Sequence, residues 1–71
     1  MSDTHYAISV ATGVLQRGDR IVTADGIHAT VLRIDARDPK VGRWAECLTD
    51  QGQTLRFAAT PDLTVTLLAG P

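Results

Sequence analysis

The pair Asp25-Gly26, set between two apolar-rich runs, constrains this chain more than any other two letters in it. A two-residue reversal asks both central residues for positive φ, and Asp-Gly meets that demand at low steric cost. The pair therefore predicts a β-hairpin turn. Its arms are residues 20–24 and 27–35, and the stretch 15–35 opens on a second tight turn at Gly18-Asp19. The return arm contains a conflict, because Val31 has one parity while Leu32 and Ile34 have the other. A strand turns both sets inward only by bending, by burial on both faces, or through a bulge that slips the alternation by one residue. This arm is read as barrel curvature, at the strand that turns the corner between two sheets.

The rest of the chain follows the same short period. Over 5–11, Tyr6, Ile8 and Val10 alternate with Ala7, Ser9 and Ala11, the pattern of a half-buried strand. Leu15 is expected to plug the underside of the Gly18-Asp19 turn. Residues 36–43 read as a charged loop punctuated by Pro39 and Gly42, 44–49 and 54–58 as paired strands, and 64–68 as a closing strand. Thr60-Pro61-Asp62-Leu63 predicts one 3₁₀ turn, since Pro fixes φ and Thr60 can cap. No segment keeps a helical period over three turns. The expected fold is all-β: a small SH3-like β-barrel of about five antiparallel strands plus an N-terminal strand and one 3₁₀ turn. Its core is expected to hold Ile8, Val10, Leu15, Ile21, Val31, Ile34, Cys47, Leu55, Phe57, Leu63, Val65 and Leu67.

At 71 residues the chain makes a single domain, 1–71, with frayed tails at 1–4 and 69–71. A domain of this size buries only about 60% of its unfolded surface, so association with a second copy would help it. A homodimer through the N-terminal strand, an open sheet edge, is the expectation. The single cysteine rules out an internal disulfide and fits a reducing compartment. No apolar run approaches a membrane span, and 1–10 lacks the pattern of a secretory signal, so a cytoplasmic protein is expected.

The segments Gly18-Asp19-Arg20-Ile21-Val22 and Gly26-Ile27-His28-Ala29-Thr30-Val31 resemble KOW-type sequences. They are also similar to the soluble domain of the YajC family, the small auxiliary subunit of the bacterial preprotein translocase. The likeness continues faintly through 48–57 and touches about half of the chain. It departs at Asp25 and Ala29, where the family has glycine, and in lacking that family's N-terminal membrane helix. The resemblance implies a small barrel that binds partners, of bacterial or phage type, with no catalytic residue.

Two surfaces follow from the residues. If Ala45 and Cys47 face the core, Trp44, Glu46 and Leu48 face outward, and exposed Trp and Leu on one face mark a contact surface for another protein. The alternative is a nucleic-acid surface in which Arg33, Arg37, Lys40 and Arg43 meet phosphates and Trp44 stacks on a base. Over 33–43 those four cations are offset by Asp35 and Asp38, leaving +2, and the whole chain carries −1. Enzymatic sets are poorly supported. Ser9, His28 and an Asp have no nucleophile-elbow setting, Cys47 reads as a small buried hydrophobe, and His5 and His28 lack zinc-ligand spacing. Arg17-Gly18-Asp19 is read as a turn. No metal and no cofactor is expected.

Overall fold

A computed structural model describes residues 6–40 and 42–69, which form one six-stranded antiparallel sheet. The strands are β1 (Tyr6–Ala11), β2 (Arg20–Val22), β3 (His28–Asp38), β4 (Gly42–Thr49), β5 (Thr54–Ala58) and β6 (Thr64–Ala69). Their order across the sheet is β1-β6-β2-β3-β4-β5. The expected barrel is corrected here, because the sheet is not closed and no ladder joins β1 to β5 among the described residues. Of the expected tails, 1–4 and 70–71 lie outside the described residues, while Ala69 pairs with Tyr6 at the end of β6.

The sheet is nonetheless strongly curled. Ile21, Ala29, Ala45 and Cys47 are 0% exposed although no second sheet or helical layer covers them among the described residues. A flat sheet leaves both faces in water, so these side chains vanish only because the inner face wraps over itself. Leu15 and Val31 complete the buried cluster, and Val10, Ile34, Leu55, Phe57, Val65 and Leu67 pack against it. Two expected core residues are not in it. Ile8 is 50% exposed because β1 is an edge strand, and Leu63 is 43% exposed because it precedes β6 in the connecting bend.

The parity conflict in β3 is resolved by a bulge. Val31 pairs with Cys47 and Arg33 with Glu46, so Leu32 is the extra residue and is 40% exposed. Beyond it Ile34 returns to the inner side opposite Ala45. A bulge bends and twists its strand, which is what the curl requires at this position. The charged loop expected over 36–43 is mostly strand: β3 continues to Asp38 and β4 begins at Gly42, which supplies φ +83°.

Both remaining hairpins are built alike. Gly26 N–H donates to the Thr23 carbonyl at 2.9 Å, Thr23 N–H to the Ile27 carbonyl at 3.0 Å, and Ile27 N–H to Thr23 Oγ1 at 3.2 Å. The same three bonds recur for Thr49, Gly52 and Gln53. Only the glycines, at φ +84° and +83°, are left-handed, so Asp25 does not take the positive φ expected of it. The longer turn with a single left-handed glycine replaces the two-residue reversal, because the Thr hydroxyl satisfies the N–H that the wider loop frees.

The 3₁₀ turn also lies elsewhere than expected. It spans Thr12–Val14, closed by Leu15 N–H to the Thr12 carbonyl at 3.2 Å. At 60–63 the Thr60 hydroxyl takes the N–H groups of both Asp62 and Leu63 at 3.2 Å, forming a side-chain turn in place of a backbone one.

Candidate functional site

Strict alternation on β4 decides which residues face outward. Ala45 and Cys47 are fully buried, so Trp44, Glu46 and Leu48 lie on the outer face, with Leu48 42% exposed and Trp44 half-buried. The register then builds this face from rows across three strands. Asp35, Trp44 and Ala58 form one row, Arg33, Glu46 and Arg56 the next, and Thr30, Leu48 and Thr54 a third.

The middle row is an ion cluster. Arg33 Nη2 lies 3.3 Å from Glu46 Oε1, and Arg56 Nε lies 3.9 Å from the same oxygen. The Arg56 guanidinium also sits 5.8 Å from the Trp44 ring centroid, in reach of a cation–π contact. Glu46 is thereby held between two arginines, and Arg56 braces the indole. The result is an apolar pair, Trp44 and Leu48, separated by a row of two arginines and one glutamate.

The proposed nucleic-acid set is not brought together on this face. Arg33 is engaged with Glu46, whereas Arg43 has the inward parity of Ala45 and sends Nη1 to within 3.5 Å of the Gly13 carbonyl oxygen. Lys40 is exposed in the β3–β4 turn and takes part in an interaction of its own. The side chain of Arg37 lies outside the described residues. Arg56 was not singled out from the sequence. Its parity between Leu55 and Phe57 shows that it points outward, but only the register shows that it lands beside Glu46.

The inner side has its own feature. Where the sheet stays open, a groove of about 250 Å³ runs between Leu55 and Phe57 of β5 and Leu63 and Val65 of the β6 arm, with Ile27 at one end. The Cys47 thiol is buried in the core cluster, where Cys47 pairs with Leu55 of β5. Burial, and secondarily the Glu46 carboxylate, pushes it up to about 11, so it is not a nucleophile at neutral pH. No cluster of three metal-ligating side chains occurs among the described residues; His28 and Ser9 are exposed, and His5 lies outside them.

No family model, curated protein or solved structure matches this chain.

Proposed function

We propose that this chain is a non-catalytic protein-interaction module that docks a partner on the outer face of β3, β4 and β5. The observation that supports this reading is the outward placement of Trp44 and Leu48 around the Arg33–Glu46–Arg56 row. Trp and Arg are the residue types that dominate binding energy at protein interfaces, and here the indole is pre-positioned by Arg56. A partner that supplies an apolar side chain for Trp44 and Leu48, and polar groups for the flanking threonines, matches this face. The lone buried thiol is consistent with work in the cytoplasm.

The test compares retention of host proteins, after nuclease treatment, by immobilised wild type and by Trp44→Ala with Leu48→Ala. The module reading expects a protein bound by the first and lost from the second, with melting temperatures within a few degrees. Equal retention by both variants removes the outer face from consideration. In parallel, mixed RNA and DNA are offered at two salt concentrations. Binding that falls steeply with salt and weakens on Arg37→Ala with Arg43→Ala would favour the nucleic-acid alternative instead.

A further inference from the structure

We propose that β1 pairs antiparallel with β1 of a second copy about a two-fold axis at Ser9, joining two six-stranded sheets into one. This contact lies on a different surface from the outer face of β3–β5 and does not depend on it.

The direction of the backbone groups in β1 follows from its other edge. Thr12 N–H donates to the Leu63 carbonyl at 2.7 Å, in the same register that pairs Val10 with Val65 and Ile8 with Leu67. Hydrogen-bonded pairs alternate along an antiparallel ladder, so Ile8 and Val10 spend their backbone groups on β6. Ala7, Ser9 and Ala11 therefore turn N–H and C=O toward the edge of β1 that no strand among the described residues pairs with. Natural sheets blunt such edges with lysine, proline, bulges or inward charges, and YAISVA has none of them.

The second copy is the occupant that this edge fits. With the axis at Ser9, Ser9 meets its own equivalent and Ala7 meets Ala11 in both directions. All three open residues on each copy are then paired, which a shift of the axis to Ile8 does not achieve. The outward side chains at these positions are Ala, Ser and Ala, so nothing bulky or charged opposes its own image. On the inner side Ile8 comes to lie against Val10 of the second copy, covering the side chain that the monomer leaves 50% exposed. A contact of this kind is isologous and closes at two copies. The other free edge, β5, is less open, since its Ala58 carbonyl is already taken by the Thr12 hydroxyl.

Sedimentation equilibrium from low micromolar to millimolar protein is expected to show wild type passing from one chain mass to two. Ser9→Pro removes an N–H that points away from β6 and makes no bond among the described residues, so it is expected to keep the fold by circular dichroism and hold one chain mass throughout. Ser9→Cys provides a readout that needs no loss of fold. With oxidised glutathione as electron acceptor, the two axial thiols should join in a disulfide-linked dimer, since paired Cα atoms about 5.5 Å apart are within disulfide reach. Ala7→Cys alone should not cross-link. A wild type that stays at one chain mass overturns the proposal, as do masses that grow beyond two or a dimer that Ser9→Pro leaves intact. A dimer that cross-links through position 7 and not position 9 overturns it too.

Discussion

The hydroxyl of Thr12 lies 2.8 Å from the carbonyl oxygen of Ala58, and among the described residues this bond joins the end of β1 to the end of β5. The Thr12 hydroxyl oxygen also accepts the Thr60 N–H at 2.9 Å and lies 3.2 Å from the Thr60 carbonyl oxygen, and Thr12 is 0% exposed. One buried hydroxyl thus does at a point what a closed barrel would do with a full ladder.

Removing that hydroxyl while keeping its shape should cost more than an ordinary hydrogen bond. Thr12→Val orphans the Ala58 carbonyl and the Thr60 N–H together, a loss of about 1–3 kcal/mol. Thr12→Ser keeps the bonds and should lose less. For a domain this small each kcal/mol lowers the melting temperature by roughly 4–8 °C, so thermal melts of the two variants rank them directly. A Ser variant as unstable as the Val variant would show that the methyl group, not the hydroxyl, matters.

The bulge at Leu32 separates two deletions that look alike in sequence. Deleting Leu32 leaves Val31 and Ile34 inward with Arg33 between them, so the alternation survives and the chain should fold with a loss of about 1–2 kcal/mol. Deleting Glu46 from β4, which carries no spare residue against β5, puts Ala45 and Cys47 on opposite faces and should abolish cooperative melting. Urea denaturation of both chains checks this.

Cys47 ties stability to alkaline pH. Its thiol is held protonated in the fold, with burial the larger cause and the Glu46 carboxylate the smaller, raising it from 9.0 to about 11. The unfolded chain therefore gives up this proton first. The resulting stability is fully present below pH 9.0 and declines as pH rises from there through about 11. Urea midpoints measured across that window should fall for wild type, and Cys47→Ala should remove that part of the slope. A thiol reagent should modify the wild type only after unfolding.

Much of the strand pattern was legible in the letters, because alternation and Gly-containing turns are local signals. β5 falls where expected, and the Val31–Leu32–Ile34 conflict marked an irregularity for which a bulge was one of three explanations; the β3–β4 register identifies it as a bulge. Closure was not legible. Whether β5 meets β1 depends on how far the sheet curls and on β6 taking both β1 and β2 as neighbours, and no short window of sequence carries that. The outward placement of Trp44, Glu46 and Leu48 was readable from Ala45 and Cys47, whereas the approach of Arg56 to Glu46 required the β4–β5 register. The basic stretch 33–44 reads as one loop in the sequence but belongs largely to β3 and β4, which send Arg33 and Arg43 to different places.

The open edge of β5 is the most direct test of an uncurtained sheet. Thr49 N–H bonds the Gln53 carbonyl at 2.8 Å and Ala59 N–H the Arg43 carbonyl at 2.9 Å, so Leu55 and Phe57 between them point their N–H groups at β4. Thr54 and Arg56 point theirs away. Residue-resolved amide hydrogen exchange by NMR should find Leu55 and Phe57 slow and Thr54 and Arg56 fast, alternating along one strand. Four equally slow amides would mean that another strand lies against β5, and would contradict the open sheet.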